Sequence, residues 1–537
     1  MASSRILFSP AARRALSRGF NRLADTIQVA LGPQGRLVAM SGDNPQRPPD
    51  LLNDGATIAR RFWELPDRFE TMGALLARHI AWQVEEAVGD GTTSAVIIAR
   101  HVLNAANRLA ANGHNVMSLR RGLEKCLAAV APQLLAMATP LVDANQIRAL
   151  ASNITGNTDL GFLIEEIFDT VGPQAFVDIR DSYSRHHDRR YIRGVLWNNG
   201  WLSSHFCTES GKAVLKNPFL LFTDRHLTNP AELVPIMETI RRDHGGKRGL
   251  VVLAPVLESE ALNLLVANKA RGSLPTLAIQ TPGLGSEKLE ILHDLAALCG
   301  GRVLLSITGN QLENATTTDL GQADEVQAIK SSFTIIGGKG RPATVRLRSE
   351  WLRKQITGAA YGRDRERLIE RSGKLAGGVT ILHVGGASDV ERNYLKERAQ
   401  EAIRIVRLGL TDGVVPGGGS AFLACMPVLA HLSLPEDEKA AIQILKGALE
   451  AVPLALLTNA GYEPHPILAH LRAHPDYSFD IEQGAYIKLS TSNIVDSARV
   501  LHTALSMGVS GALMAFTTDT LVHRPQSIRN PDVSFTP

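Results

Sequence analysis

Gly89-Asp90-Gly91-Thr92-Thr93-Ser94 runs directly into Ala95-Val96-Ile97-Ile98-Ala99-Arg100, a turn of small and hydroxylated residues feeding an apolar helix. Free amides at a helix amino terminus, the positive end of its dipole and a cluster of hydroxyls can together receive phosphate oxygens. Asp90 in the same turn supplies a carboxylate for the magnesium that travels with phosphates. Asp and Thr are also good N-caps, so a plain capped helix fits the same residues. No GxxxxGK[ST] sequence occurs, so a nucleotide bound here is not held by a P-loop and other loops have to complete its site.

Three further segments are candidates. Leu31-Gly32-Pro33-Gln34-Gly35 ends a helical stretch with glycines that let backbone come close to a ligand. Asn53-Asp54-Gly55 is a turn with another carboxylate. Asp412-Gly413-Val414-Val415-Pro416-Gly417-Gly418-Gly419 ends in three glycines, enough for a backbone wall against a flat purine or sugar. Singly, the first two are equally ordinary turns and the third equally a linker, although apolar helix patterns on both sides leave it little freedom.

The chain has 537 residues, long enough for two to four domains with ample core. Hydrophobic residues at 44% and charged residues at 20% exclude a wholly disordered or collagen-like chain. Fifty-seven basic against 53 acidic residues give no pointer to nucleic acid. No run reaches the roughly 18 uninterrupted apolar residues of a membrane span, so neither membrane nor nucleic acid is an expected partner. Cys126, Cys207, Cys299 and Cys425 are far apart and form no CxxC pair, which argues against a zinc site or disulfide framework and fits a cytoplasmic location. Arg5, Arg13, Arg14, Arg18 and Arg22, with serines and no acid, have the composition of a transit peptide. Leu16, Phe20, Leu23 and Ile27, however, recur at helical spacing and lead into Leu31, so a helix belonging to the fold is expected there.

Amphipathic helix patterns fill the outer thirds, as in Gly73 to Val88, Thr93 to Asn112 and Lys439 to Asn459. From about Gly194 to Gly377 short β-type runs alternate with helices: Phe219 to Phe222, Leu233 to Arg242, Leu250 to Leu253, Ser259 to Ala270, Thr276 to Ile279. This reads as an α/β domain inserted into a helical one. Gly194 and Gly377-Gly378 at its edges are either hinges or ordinary turns.

Taken in order, and with the rest of the chain, the four loops resemble the group I chaperonins of the GroEL type. The similarity is collinear from Ala12-Arg13 through Val414 to Gly419, and on to Ile494-Val495-Asp496 and the helix Ala498 to Phe516. It implies a multi-domain fold with three parts. These are a mainly α-helical equatorial domain at residues 1–136 and 412–537, a small α/β intermediate domain at 137–193 and 378–411, and an α/β apical domain at 194–377. Group II relatives also carry a GDGTT-like motif, but their apical domain has a helical protrusion for which this sequence has no extra segment.

The resemblance also implies an activity, ATP hydrolysis coupled to protein folding. Its nucleotide site would comprise Leu31, Gly32, Pro33, Asp54, Asp90, Gly91, Thr92, Thr93, Ser94, Gly418, Asp480 and Asp496. In it Asp90 holds Mg2+, Gly91 to Ser94 cradle the phosphates, Gly418, Asp480 and Asp496 surround base and ribose, and Asp54 assists near the γ-phosphate and the attacking water. Four positions depart from the family pattern. Glu401 stands where the family has a water-activating aspartate, and Asn53 where a lysine precedes the assisting aspartate. Ala30 replaces a usual threonine, with its carbonyl still available to K+, and Asp480 replaces an asparagine. One extra methylene at Glu401 shifts its oxygens by roughly 1 Å, a displacement that can cost about 100-fold in rate, so slow turnover is expected.

In the apical part, Trp201, His205, Phe206, Val234, Met237, Leu262, Val266 and Ala267 match the groove for non-native clients and a co-chaperonin lid. His205 replaces a tyrosine. A homo-oligomer is implied, in rings of seven. Ala455 stands where an inter-ring arginine is frequent, which leaves one ring or two open, and the tail Asn530 to Pro537 lacks the Gly-Gly-Met repeats of many bacterial members. The alternative function is a chaperonin-like binding or scaffold protein with weak or lost ATPase activity.

Overall fold

The first helix forms where periodicity places it. In α1 (Ala11–Gln28) the side chains of Leu16, Phe20, Leu23 and Ile27 are all buried, and Arg14, Arg18 and Arg22 of the segment with transit-like composition are exposed on the other face. Arg18 and Arg22 pair with Glu70 of α3 (Arg68–Val88) at 2.7 and 3.2 Å, which satisfies a carboxylate that α3 otherwise buries. Between α1 and α3 in sequence lies the short α2 (Gly55–Arg61). The α1 and α3 backbones nearly touch, because a Cβ built on Gly19 would lie 1.7 Å from the Glu70 carbonyl oxygen and one on Gly73 would lie 1.9 Å from that of Leu16.

Helices α4 (Thr92–Ala111) and α5 (Val116–Ala136) follow, the latter capped by Asn115. The helices Ala440–Asn459 and Ala498–Thr517 return from the far end of the chain to pack on α4 and α5. These two are long and apolar enough to span a membrane by length and composition. Here they serve as core, with Ala504, Leu505, Val509, Ala512 and Phe516 buried.

This computed structural model describes residues 5–41, 49–52, 54–62, 64–173, 176–182, 184–208, 211–306, 312–375, 378–489 and 492–523. Asn53, Gly377 and the tail Asn530 to Pro537, all singled out by the sequence, lie outside them.

The chain divides into two compact units, residues 1–165 with 397–537, and residues 166–396. The strip the resemblance implies as an intermediate part is shared between them. The helix Ala144–Thr155 and residues 397–412 of the helix Asp389–Asp412 join the first unit, and a three-stranded sheet joins the second. In that sheet Gly378–Val384 lies between Phe176–Asp181, to which it runs parallel, and Asp188–Arg193, to which it runs antiparallel.

The second unit also holds a mixed eight-stranded sheet. Thr276–Gln280, Leu250–Ala254 and Phe219–Thr223 are parallel neighbours, buried almost throughout, as strands covered on both faces have to be. The sheet continues through the antiparallel strands Gly321–Ala328, Ser332–Gly338 and Val195–Asn198. Gly194, at φ 133°, is the single residue between Arg193 of the small sheet and Val195 of the large one. A Cβ there would lie 2.3 Å from the Ile335 carbonyl oxygen, so glycine is required at the step.

Candidate functional site

The residues of the first unit gather where α3 gives way to α4. Gly89 ends α3 in the left-handed region at φ 76°, and Gly91 opens α4 at φ 80°, conformations that glycine adopts without strain. Asp90 between them accepts a hydrogen bond from the Gly91 N–H. No side chain caps α4, although Thr92, Thr93 and Ser94 are buried in its first turn. The alternative of a plain capped helix is thereby set aside, and the first-turn amides remain available to an anion.

Asp54 is the N-cap of α2, accepting from the Ala56 and Thr57 amides at 3.2 and 2.7 Å. A Cβ on Gly55 would fall 2.0 Å from Thr93 Oγ1, so this turn lies directly against the α4 amino terminus.

The glycine-rich segment is fixed from the other side. Val414–Pro416 pairs antiparallel with Val495–Ser497, with Val415 opposite Asp496, and the Gly417 N–H donates to the Ile494 carbonyl at 2.9 Å. Gly418, at φ 65°, hydrogen-bonds Asp496 through its backbone, and a Cβ there would approach only Ser478 Oγ, at 3.8 Å. A 2.9 Å contact between the Ser420 and Ser478 hydroxyls fastens the hairpin Tyr477–Asp480/Ala485–Lys488 to this segment. Asp480 Oδ1 accepts from the Glu482 and Gln483 amides and so organises the hairpin turn itself.

Leu31, Gly32 and Pro33 follow α1. Asn459 Nδ2 donates to the Gln28 and Leu31 carbonyls at 2.8 and 3.0 Å, and a Cβ on Gly32 would meet Leu456 Cδ2 at 2.6 Å. One turn earlier in the same helix, Pro453 lies under Gly419, so Ala440–Asn459 supports both loops.

The electrostatics show what these loops bring together. Burial, and after it the charge of Asp90, holds the Glu401 carboxyl well above the ordinary glutamate value; Asp54 and Glu85 add to the rise and Arg398 opposes it. Burial is also the main cause at Asp90, which is raised. It pushes Glu85 up to about 7, followed by the charge of Asp54, and Asp496 up to about 7, followed by that of Asp90. Asp54, Glu85, Asp90 and Glu401 therefore act on one another across one site, and Asp496 joins them through Asp90. Arg398 is ion-paired with Glu401.

Glu85 is the acid that reading the sequence missed. Its signal was there, since a Glu85-Glu86 pair in the last turn of a helix opposes the helix dipole. Among the described residues, no three His, Cys, Asp or Glu side chains are arranged to hold a metal by themselves. A cation here has to draw its remaining oxygens from phosphate and water, which is the ordinary situation of Mg2+ on a nucleotide.

A pH dependence follows. Glu85 and Asp496 keep their protons in the fold up to about 7 but ionise in the unfolded chain near their ordinary values of 4.5 and 3.8. Between those limits the unfolded state binds fewer protons, so stability is lost as pH rises towards 7. The nucleotide-free protein is expected to melt at a lower temperature at about pH 8, above that window, than at about pH 5.5, within it, and Asp496→Asn is expected to flatten the slope in a melting series.

In the second unit, Val234, Leu262, Val266 and Ala267 are half-buried on the helices Val234–His244 and Ser259–Ala270, and Trp201 is half-buried and His205 exposed. Phe206 and Met237 correct the expectation, being 0% and 5% exposed, core residues beneath a groove rather than its lining. The Lys269 ammonium bonds the Phe206 carbonyl and so holds the turn Ser204–Phe206 against the Ser259–Ala270 helix. That helix buries only Ala261 and Leu265, leaving Leu262, Leu264 and Val266 partly open. At its amino end lies a recess of about 640 Å³ lined by Thr228, Asn229, Leu257, Glu258, Ser259 and Glu260.

Comparison with known proteins agrees with this architecture. The model of the TCP-1/cpn60 chaperonin family matches residues 23–526. Among solved structures, the fold is similar to that of chaperonin gp146 from the bacteriophage EL 2 (Pseudomonas aeruginosa), crystallised in the presence of ATP-BeFx. In crystal form I the TM-score is 0.75 at 17% identity, over 97% of this chain and 99% of that one. In crystal form II the TM-score is 0.64 at 16% identity, with the same coverage. At such identity the likeness is one of fold. The family match, spanning nearly the whole of a chain with a GroEL-like architecture, places this protein in the TCP-1/cpn60 chaperonin family.

Proposed function

We propose that the chain is a ring-forming chaperonin subunit that hydrolyses ATP to drive capture and release of non-native proteins. The observation that carries this is the meeting of Asp54, Asp90 and Glu401 at a helix amino terminus that no side chain caps. Thr92, Thr93 and Ser94 would receive the phosphates, with Asp90 as the Mg2+ ligand. When bound, the metal supplies charge neutralisation and polarises the transferred phosphoryl group. The residues fit such a guest, because carboxyl groups whose ionisation is disfavoured by burial and by one another's charge are relieved by a cation. Gly418 and Asp496 border the ribose and base, Leu31 to Pro33 close the other side, the Ala30 carbonyl is a K+ donor, and Asp480 holds the hairpin above them.

Asp54 and Glu401 address the attacking water. Because burial and the charge of Asp90 disfavour the ionised form of Glu401, positive charge entering the site favours the carboxylate that serves as base.

In the apical region, the partly open Leu262 and Val266 take the apolar segments of unfolded clients or of a lid protein. The four cysteines are free, which suits a reducing, cytoplasmic setting.

One observation favours a second reading, a scaffold without turnover: the Glu401 carboxylate is already engaged by Arg398. The deciding experiment is Mg–ATP hydrolysis by the purified full chain, alongside electron microscopy and capture of a denatured protein. Rings with turnover are expected, and rings without any favour the scaffold. The absence of rings contradicts both. Leu262→Ser with Val266→Ser is expected to lower client capture at least about tenfold, since tenfold is about 1.4 kcal/mol and full burial of even one aliphatic side chain supplies that much, with hydrolysis unchanged. Unchanged capture would remove these two residues from the client site.

A further inference from the structure

We propose that Arg404 is a positioning residue, which locks the helix carrying Glu401 to the turn carrying Asp90; the proposal rests on the nucleotide-site reading above. The last carbonyls of a helix have no intrahelical partner. At the end of α3 they are met by the Arg404 fork, with Nη1 donating to the Glu85 carbonyl at 3.2 Å and Nη2 to that of Glu86 at 3.3 Å. The Glu85 carbonyl also takes the Gly89 N–H, at 2.9 Å. The guanidinium therefore lies across Gly89, where a Cβ would sit 2.2 Å from Nη1, 2.5 Å from Cδ and 2.6 Å from Cζ. Glycine at 89 thus serves two ends, a left-handed φ and a seat for this side chain.

Arg398 precedes and Arg404 follows Glu401 by the same three residues, just under one helical turn, so the three share a face of Asp389–Asp412. The next residue after Gly89 is Asp90. One rigid helix therefore sets both the base and, through Arg404, the end of α3 from which the Asp90 turn departs. The charge of Arg404 also acts on Asp90 and Glu85 against their mutual repulsion. If that helix shifts, either the Asp90 turn travels with Glu401 or two hydrogen bonds break. The spacing between the proton acceptor and the Mg2+ ligand is fixed by this clamp.

The test compares full-length wild type with Arg404→Gln, Arg404→Lys and Gly89→Ala. Three quantities are read: amide exchange in the nucleotide-free protein, the Mg2+ dependence of binding a non-hydrolysable ATP analogue, and steady-state hydrolysis. Arg404→Gln is expected to speed exchange at residues 90–94 about tenfold, with the rest of α3 and α4 protected as before. It raises the half-saturating Mg2+ concentration about tenfold and lowers kcat about 30- to 100-fold, while KM for ATP at saturating Mg2+ stays within about threefold. Arg404→Lys recovers part of each, since an ammonium keeps the charge but not the fork. Gly89→Ala reproduces the Gln phenotype by unseating the guanidinium.

The proposal is overturned if Arg404→Gln leaves exchange and Mg2+ dependence within about twofold of wild type, the scatter expected of an uncoupled surface change. It is equally overturned if the losses appear only with faster exchange throughout α3 and α4, the mark of a purely structural cap. Should Arg404→Gln not fold, the Lys and Gly89 variants decide by the same readings. Should wild type bind no nucleotide, the ATP reading fails by itself, and exchange at 90–94 still decides whether Arg404 holds the turn.

Discussion

Replacing Glu401 by Gln is expected to lower steady-state ATP hydrolysis by about 10²- to 10⁴-fold, the usual contribution of a positioned proton acceptor, and to leave ATP binding intact or tighter. The two side chains have the same length and shape, so packing on the Asp389–Asp412 helix is preserved. What goes is the capacity to take a proton, together with one of the acids that repel one another around Asp90. A polyanion then meets less negative charge, which is why affinity and rate are expected to move in opposite directions.

The pH profile carries an independent signature. Burial and the Asp90 charge hold the Glu401 carboxyl above the ordinary range, so wild-type hydrolysis should rise as pH increases through that raised value, and the Gln variant should lose that part of the rise. Glu401→Asp withdraws the carboxylate by roughly 1 Å and restores the length that the resemblance implies as usual, so a gain in turnover is expected. Hydrolysis by the Gln variant within about threefold of wild type would sink the assignment of Glu401, since no proton acceptor contributes so little.

Much of this site could be read before any coordinates, because its parts are local. A glycine flanking an acid before an apolar helix is recognisable in isolation, and Asp54 and the three glycines at 417–419 are turn chemistry. Glu401 could be placed because no gap intervenes between Arg398 and Gly413. The contributions of Glu85 and Arg404 stayed hidden because they depend on two helices meeting in space: a glutamate at a helix end and an arginine on a charged helix are unremarkable until the fork reaches the carbonyls. Phe206 and Met237 were misread for a similar reason. An apolar residue on an amphipathic helix can line a groove or floor it, and only the packing of the Ser204–Phe206 turn and the sheet below decides which. Gly194 and Gly32 show the reverse case: read from the sequence as a hinge or turn and as an approach to a ligand, each also faces a close neighbour, the Ile335 carbonyl or Leu456, that the sequence could not name.

The α1–α3 crossing carries the largest expected effect on stability. Gly73→Ala puts a methyl 1.9 Å from the Leu16 carbonyl oxygen, 2.8 Å from its carbon and 2.9 Å from the Phe20 nitrogen. These are backbone atoms of a helix, which cannot swing aside as a flexible side chain can. Relief requires α1 to lift from α3, and that exposes Leu16, Phe20 and Leu23, each at most 1% accessible, and strips Glu70 of Arg18 and Arg22. A cost above about 4 kcal/mol is expected, in the exceptional range for one substitution and a large share of the 5–15 kcal/mol by which a domain is typically stable. Gly19→Ala faces the Glu70 carbonyl oxygen at 1.7 Å and should behave alike. Gly358→Ala, where nothing lies within 4 Å, is the control, and it should be neutral or slightly stabilising. Soluble yield and thermal melting of the three variants provide the measurement, and a Gly73→Ala protein melting within a few degrees of wild type would contradict the crossing. The consequence reaches the chemistry, because α3 ends in the turn that holds Asp90: a chain that cannot seat α1 on α3 has nowhere to place the phosphate-binding residues, and nucleotide binding should disappear together with the fold.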